Sequence, residues 1–238
     1  MEFLIDKIMN RNKIIVLSLG GSMINGSAGF NLEFLKNFKL FILKQVKNGY
    51  RFVIVCGGGK VCREYQAAAK AVGVNNNGYL DWIGIYTTHF NANFMRMLFG
   101  RLAQEQIIKN QEDKIKWTKS LLFSGGWKPG HSTDFDAVIL AKKYGAKLVI
   151  NLSNIEYVYD KDPNQFADAK KIENITWKDF RKIVGNKWVP GANLPFDPIA
   201  SREAQKNKLK VVVMNGQNLV ELGKVLKGEN NIIGTIIG

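Results

Sequence analysis

Short apolar runs rich in β-branched residues alternate with amphipathic segments along nearly the whole of this chain. Runs of this length and composition are typical of strands that are buried on both faces of a sheet. They lie at residues 14–19, 52–56, 121–123, 147–152 and 209–214, with a further short run near 232–237. Strands of this kind separated by helices predict an α/β fold with a mainly parallel sheet and helices on both faces.

The segments between the strands repeat apolar residues at the helical period and have cap residues at their ends. Asn31, Thr176 and Asp197 stand where a helix is expected to begin, and Gly73 and Gly145 stand where one is expected to end. The predicted helices cover residues 31–47, 61–72, about 81–103, 134–144, about nine residues after 176, 198–206 and 219–226. The charged stretch 109–119 and the segments 153–165 and 188–196 are predicted to be loops.

The length of 238 residues fits one large α/β domain, and no internal repeat or low-complexity linker divides it. We therefore predict a single domain over residues 1–238. No apolar stretch approaches the roughly 20 residues of a membrane span. Residues 1–12 lack a cleavable signal pattern. A soluble, cytoplasmic protein with no membrane partner is expected.

The sequence offers no pattern of metal ligands. Cys56 and Cys62 do not form a CxxC motif, and His89 and His131 lie far apart in the chain. We predict buried, reduced thiols and no structural metal.

The formal net charge of +14 favours anionic partners such as nucleotides, nucleic acid or a membrane surface. The lysines are scattered over many segments and do not form one basic arm or a strip interleaved with aromatic residues. Most of these lysines are therefore predicted to be solvent-exposed residues that keep the surface hydrated, and nucleic acid is not an expected partner. A nucleic-acid-binding protein remains the weakest of the alternatives.

Three of the predicted strands end in paired or tripled glycine. The first glycine turn is Gly20-Gly21, the second is residues 57–59 and the third is Gly125-Gly126. A strand that stops in glycine before a helix leaves backbone N–H groups free, and glycine lets a phosphate approach them closely. A tight strand-to-helix turn without a ligand would explain any one of these turns. Three in one domain favour a site for ligands that carry phosphate.

Two common phosphate fingerprints are absent. Gly59-Lys60 is followed by Val61, so there is no GxxxxGK[ST], and Cys62 stands where GxGxxG requires its last glycine. A P-loop nucleotide hydrolase and a Rossmann dehydrogenase are thereby disfavoured.

The third glycine turn leads into a segment rich in groups that bind anions. Residues 125–134 combine backbone donors with Lys128, the hydroxyls of Ser132 and Thr133, and the carboxylate of Asp134 at a predicted helix start. Without a ligand, Ser132 or Thr133 would be an N-cap and Asp134 a favourable acid of the first turn. A cap needs only one such residue, so the whole segment favours an anion-binding loop.

Together these motifs resemble the amino acid kinase superfamily. The resemblance rests on the three glycine turns, Arg63, residues 132–134 and the stretch NIEYVYDKDP at 154–163. The motifs occur in the order of that superfamily and cover nearly the whole chain. Within it, the chain is most similar to uridylate (UMP) kinases of the archaeal type.

The resemblance implies a three-layer αβα sandwich with a mainly parallel central sheet. It places an acceptor-binding lobe at about residues 1–134 and an ATP-binding lobe at about 135–238. The residues expected in catalysis are Lys60, Asp134 and Gly21. Those expected around UMP are Gly58, Gly59, Arg63, Asp81, Gly126, Trp127, Lys128, Pro129, Gly130, His131, Ser132 and Thr133. Those expected around ATP are Gly20, Gly21, Ser22, Ser153, Asn154, Tyr159 and Asp162.

The chemistry of these residue types agrees with such roles, because phosphoryl transfer depends on positioning and on dispersed positive charge. Arg63 matches the arginine that grips the UMP phosphate, and Lys60 adds a second cation. A charge-assisted hydrogen bond contributes about 1.5–3 kcal/mol, so two polyanions held together require several donors. Asp81 matches the residue that contacts the ribose and would otherwise be an N-cap, while Tyr159 would otherwise be a packing residue.

The chain departs from the superfamily at two positions that matter. Many members have a lysine on the first strand two residues before the glycine turn, where this chain has Ser18. Lys60 or Lys128 is therefore expected to supply the charge. Archaeal-type UMP kinases also lack this lysine, so its absence is compatible with activity. The usual Asp-Gly of the nucleotide loop is Glu156-Tyr157 here, and the bulky Tyr157 is expected to reshape the ATP pocket.

The sequence therefore predicts a nucleotide kinase of pyrimidine biosynthesis that transfers the γ-phosphoryl group of Mg-ATP to UMP by direct in-line transfer. Mg²⁺ is expected to arrive with ATP, and no protein ligand is assigned to it. The resemblance suggests a homohexamer. One alternative is another kinase of the superfamily, with isopentenyl phosphate or acetylglutamate as acceptor. The other is a non-catalytic regulator that binds a nucleotide or an oxyanion.

Overall fold

A computed structural model describes residues 13–113, 115–187 and 194–238. The strands of this described part are β1 (Ile14–Leu19), β2 (Asn25–Gly26), β3 (Gly29–Phe30), β4 (Arg51–Cys56), β5 (Leu121–Ser124), β6 (Leu148–Ser153), β7 (Val158–Tyr159), β8 (Lys171–Ile172), β9 (Asn174–Ile175), β10 (Lys210–Asn215) and β11 (Thr235–Ile237). Its helices are α1 (Gly21–Ile24), α2 (Leu32–Lys47), α3 (Gly59–Ala71), α4 (Asn77–Phe99), α5 (Thr133–Tyr144), α6 (Trp177–Val184), α7 (Pro198–Lys206) and α8 (Leu219–Lys227), with a 3₁₀ turn at Gly100–Leu102.

A seven-stranded sheet in the order β5-β4-β1-β6-β10-β11-β9 forms the centre of the molecule. The first five of these strands are parallel, β11 runs antiparallel to β10, and β9 runs parallel to β11. Two short antiparallel ribbons, β2–β3 and β7–β8, lie outside this sheet. The chain leaves β1 towards β4 on one side and returns to β6 on the other, so β1 lies at the point where the strand order reverses.

Alternate residues of each central strand enter different cores. Leu17 and Leu19 of β1 pack with residues of α2, α4 and α8, whereas Val16 packs with residues of α5, α6 and α7. The sheet is therefore covered by helices on both faces, which confirms the predicted three-layer αβα sandwich.

Most predicted elements are confirmed, because their signals are local. Asn31 caps α2 by accepting the backbone N–H of Phe34 at 3.1 Å. The predicted start of α4 near Asp81 is wrong: the helix begins at Asn77 and is capped by Asn76. The loop predicted at 153–165 contains β7, and residues 188–193 of the second predicted loop lie outside the described residues.

Candidate active site

The three glycine turns lie at one edge of the sheet, because they follow β1, β4 and β5, which are parallel neighbours. Ligands of open α/β sheets bind outside the carboxyl ends of the strands, where the strand order reverses. The backbone N–H of Gly20 donates to the Leu152 carbonyl of β6, and that of Gly57 donates to the Leu19 carbonyl of β1, each at 2.9 Å. The turns are thereby attached to neighbouring strands.

The first and second glycine turns touch through their backbones. A Cβ added to Gly21 would lie 2.0 Å from the backbone nitrogen of Gly59. Gly59 has a φ of +72°, and a Cβ there would lie 2.6 Å from the Gly21 carbonyl oxygen. No side chain fits between these turns, so glycine is required by this contact as well as by any ligand. Ser22 follows in the single turn of α1.

Asn91 of α4 orients the second glycine turn. Its Nδ2 donates to the carbonyls of Gly57 at 2.7 Å and Gly58 at 3.1 Å. The N–H groups at the start of α3 have no helical partners, as at any helix N-terminus, so they are available to an anion. Arg63 lies exposed in the first turns of the same helix.

The ammonium group of Lys60 is engaged within the protein. Its Nζ donates to the carbonyl of Ser27, between β2 and β3, at 3.0 Å, and lies 3.4 Å from Glu64 Oε1. Two oxygens therefore already engage this ammonium group, and the side chain is 41% exposed. A role of Lys60 in transfer requires it to leave the Ser27 carbonyl.

The third glycine turn is bound to α4 through both polar groups of Gly126. The Gly126 N–H donates to Thr88 Oγ1, and the Nε2–H of His89 donates to the Gly126 carbonyl, both at 2.7 Å. A Cβ on Gly125 would lie 2.5 Å from His89 Cδ2. The turn therefore lies directly against the helix.

Two carboxylates hold the loop that follows. The Trp127 N–H donates to Asp136 Oδ2 at 3.1 Å, and the Gly130 N–H donates to Asp81 Oδ2 at 3.0 Å. Asp81 thus contacts the loop that follows the third glycine turn and does not cap α4. The N–H donors of Gly126, Trp127 and Gly130 are all used within the protein, so these three are not free for an anion. Anion binding by the rest of the loop stays a prediction.

Aromatic rings line this loop. The rings of His131 and Phe135 lie 4.6 Å apart, those of Trp127 and His131 lie 5.5 Å apart, and Lys128 Nζ lies 3.8 Å from the centre of the Trp127 ring. The buried Nδ1 of His131 has no partner within the described residues. These rings form a surface suited to a planar base, and Pro129 lies beside them in the loop. Sequence reasoning missed Phe135, which stands one residue after Asp134.

The start of α5 brings together the hydroxyl and carboxylate groups of the motif. Ser132 caps the helix by accepting the N–H of Phe135 at 3.2 Å, and Thr133 is its first residue. Asp134 Oδ1 accepts the hydroxyl of Ser18 at 2.9 Å and Nδ2 of Asn151 at 3.2 Å. Ser18, which stands where many members of the superfamily have a lysine, therefore gives this carboxylate a neutral donor.

Burial raises the pKa of Asp134 to about 7, an effect that the Ser18 hydrogen bond opposes and the nearby charge of Asp197 reinforces. Burial likewise raises the pKa of Asp136 to about 8. Sequence reasoning missed Asp136 and Asp197. The only signal was an aspartate two residues after Asp134 on an otherwise apolar helix, and Asp197 was interpreted as the cap that it is.

The residues expected around ATP lie at the end of β6 and in the β7 ribbon. Ser153 Oγ accepts the N–H of Ile155 at 3.4 Å, Asn154 is exposed, and Tyr159 belongs to β7. Asp162 accepts the N–H of Asn164 and the side chain of Gln165 in its own turn. In the described part of the structure, Asp162 stabilises its own turn. Its contact with a nucleotide stays a prediction.

Mg²⁺, which the resemblance implies, usually keeps water and phosphate ligands and takes one or two carboxylates from a protein. Among the described residues, no three His, Cys, Asp or Glu side chains form a group that could hold a metal ion. Asp134 is a partly buried carboxylate that contacts Ser18 near the end of β1, just before the first glycine turn. This arrangement fits a Mg²⁺ carried mainly by the phosphates of ATP. Over residues 13–113, 115–187 and 194–238, no helix is long and apolar enough to cross a membrane.

This fold and site define a class of α/β protein, one with glycine turns at the carboxyl ends of parallel strands, where ligands of such sheets bind. The model of the amino acid kinase family matches residues 13–215. The chain belongs to the amino acid kinase family.

Known relatives are similar to the chain over nearly its whole length. It is 32% identical to the uridylate kinase of Thermoplasma volcanium over 229 residues, which are 94% of this chain and 98% of that protein. It is also 32% identical to the uridylate kinase of Methanococcus aeolicus over 226 residues, again 94% of this chain and 98% of that protein. The crystal structure of uridylate kinase from Archaeoglobus fulgidus has 29% sequence identity and a TM-score of 0.79, covering 94% of this chain and 99% of that one. The UMP kinase of Bacillus anthracis, at 19% identity and a TM-score of 0.75, covers 95% of this chain and 96% of its own and shares the fold.

Proposed function

We propose that this protein is a UMP kinase that transfers the γ-phosphoryl group of Mg-ATP to UMP, giving UDP and ADP for pyrimidine nucleotide synthesis in the cytoplasm. The observation that carries the proposal is that three glycine turns lie at one edge of the sheet, with Asp134 hydrogen-bonded to Ser18 just before the first of them. Relatives named uridylate kinase, 32% identical over 94% of the chain, support UMP as the acceptor.

UMP would lie between α4 and the loop after the third glycine turn. Arg63 and the free N–H groups at the start of α3 would bind its phosphate. The rings of Trp127 and His131 would border the uracil. The buried Nδ1 of His131, which has no partner among the described residues, would bond the base only after the loop opens around it. Asp81, already at the loop through Gly130, would reach the ribose. Buried polar partners of this kind discriminate strongly against acceptors that cannot pair with them.

ATP would lie over the first glycine turn and the end of β6, with residues 1–134 forming the acceptor lobe and residues 135–238 forming the nucleotide lobe. Lys60, Lys128 and Mg²⁺ would disperse the charge of the two polyanions, while Gly21 lets the phosphates approach the backbone. Mg²⁺ supplies electrostatic stabilisation of the transferred group. Asp134 organises the transfer from the end of β1, and the phosphoryl group passes directly between the nucleotides with no covalent enzyme intermediate.

The proposal is tested by ADP release from Mg-ATP with UMP, CMP, dUMP, AMP, isopentenyl phosphate and acetylglutamate as acceptors. We expect UMP to have the highest kcat/KM, and Asp134→Asn, measured in parallel, to have lost most of its turnover. A preference for CMP would contradict the base assignment. A preference for isopentenyl phosphate or acetylglutamate would instead identify another kinase of the family. Tight nucleotide binding without turnover of any acceptor would identify a regulator.

We further propose that the protein forms a homo-oligomer, with a hexamer suggested by the family resemblance. Along its outer face α4 exposes large apolar residues: Tyr79, Trp82, Tyr86, Phe90 and Met97. The five side chains are 38–69% exposed. At about 200 Å² for a whole side chain, their exposed parts offer roughly 600 Å², close to the roughly 800 Å² per partner of a standard interface. It carries no charge, whereas the whole chain has a net charge of +14, so copies can meet there without repulsion.

The oligomer is tested by light scattering of Phe90→Glu, with Val220→Glu as its control. Both residues are exposed apolar positions, on α4 and on α8 respectively. We expect Phe90→Glu alone to reduce the particle mass. An unchanged mass would show that this face is not the interface.

A further inference from the structure

Resting on the proposed function, we infer that His89 is a positioning residue for UMP: it fixes the peptide unit from which the acceptor loop begins. The loop in question comprises residues 127–133. His89 lies on α4, far from this loop in sequence, and the UMP kinase assignment does not by itself give it a role.

The peptide unit between Gly126 and Trp127 is hydrogen-bonded through both its carbonyl and its N–H group. Its carbonyl accepts the Nε2–H of His89 at 2.7 Å, and its N–H donates to Asp136 Oδ2 at 3.1 Å. In a trans peptide these two groups point in opposite directions. The unit therefore spans the space between α4 and α5, and its plane is set by two side chains on different helices.

The chemistry of the contact identifies the state of the imidazole. A carbonyl oxygen only accepts, so Nε2 must carry the proton. Burial lowers the pKa of His89, and the charge of Lys109 lowers it further, although the bond to Gly126 acts in the opposite direction. The ring therefore acts as a neutral donor with a defined tautomer.

The ring also defines how closely the turn approaches α4. A Cβ on Gly125 would lie 2.5 Å from His89 Cδ2 and 2.8 Å from Thr88 Oγ1. Thr88 holds the preceding N–H of Gly126 at 2.7 Å. With successive peptide units held, the direction in which Trp127 leaves the turn is determined, and with it the placement of the rings proposed to border uracil.

Loss of the His89 donor leaves the Gly126 carbonyl without its partner, and the loop then samples other orientations of this peptide. UMP binding must restore the productive one, which raises the KM for UMP and leaves the transferred group and ATP largely unaffected. We expect a rise of about tenfold, the equivalent of one lost hydrogen bond to a buried carbonyl.

The test compares His89→Phe, which keeps a ring but has no donor, with His89→Gln, whose amide nitrogen can occupy the place of Nε2. We expect His89→Phe to raise the KM for UMP about tenfold, while its kcat and its KM for ATP stay within about threefold of the wild-type values. The KM of His89→Gln for UMP should be close to that of the wild type. Hydrogen exchange of the free protein should be faster over residues 125–133 in His89→Phe only.

Equal KM values for UMP in all three proteins would overturn the inference. The same conclusion would follow if both variants showed the same fall in kcat and the same rise in the KM values for UMP and ATP. If the wild-type protein does not phosphorylate UMP, the proposed function fails by that result alone. Hydrogen exchange then decides the role of His89 independently: unchanged protection of 125–133 in His89→Phe would refute it.

Discussion

Replacing Asp134 by asparagine should make the protein more stable and nearly inactive. The carboxylate is partly buried, and this burial raises its pKa from 3.8 to about 7. The folded state therefore disfavours its ionised form. The contribution of the protonated Asp134 side chain to the free energy of unfolding is fully present below pH 4 and is lost as the pH rises through 7.

The size of the effect follows from the shift. A rise from 3.8 to about 7 corresponds to a cost of about 4 kcal/mol once the group is ionised in the fold. Asparagine removes the charge and keeps an oxygen for the donors Ser18 and Asn151. It replaces the second carboxylate oxygen with an amide group, and the loss of that acceptor costs about 1 kcal/mol. The net gain above pH 8 is then roughly 3 kcal/mol.

Urea unfolding of the two proteins without nucleotide or Mg²⁺, at pH 5, 6, 7 and 8, measures this gain. With a slope of about 3 kcal/mol per molar urea, the midpoint of Asp134→Asn should be about 1 M higher at pH 8 and only about 0.2 M higher at pH 5. The ADP-release assay should show lost turnover, with a smaller change in the KM for UMP. A difference in midpoint that does not grow with pH, or a variant less stable than the wild type at pH 8, would refute the reasoning.

Three further predictions concern the turns and the thiols. Arg63→Ala should raise the KM for UMP by about tenfold or more with little change in kcat, and Lys70→Ala on the same helix should change neither; equal kinetics would remove Arg63 from the phosphate site. Gly21→Ala, whose Cβ would lie 2.0 Å from a backbone nitrogen, should cost at least about 1–3 kcal/mol and abolish activity. Gly223→Ala, which meets only ordinary contacts, should be harmless, and an active Gly21→Ala would contradict the packing of the turns. Burial raises the pKa of the Cys56 thiol, so alkylation should require unfolding; labelling of the native protein would show that this strand end is open.

The elements that could be predicted from the sequence are those with signals in adjacent residues. The strand at 14–19 is predicted from its β-branched run, and the caps Asn31 and Thr176 bind N–H groups three residues ahead. The start of α4 was placed wrongly because Asp81 has the chemistry of a cap. Its carboxylate is instead used by Gly130, which lies 49 residues further along the chain.

The sequence by itself determined the layered fold, the family and the three glycine turns, because hydrophobic period, cap chemistry and the need for glycine all act over a few residues. Only the tertiary structure decided which groups of those turns are free. It placed Lys60 on the Ser27 carbonyl and closed the third turn with Thr88, His89 and Asp136. It also gave Asp134 a neutral partner in Ser18, 116 residues away. Such pairings depend on which strand ends and helices become neighbours, and a linear pattern contains no distances between them.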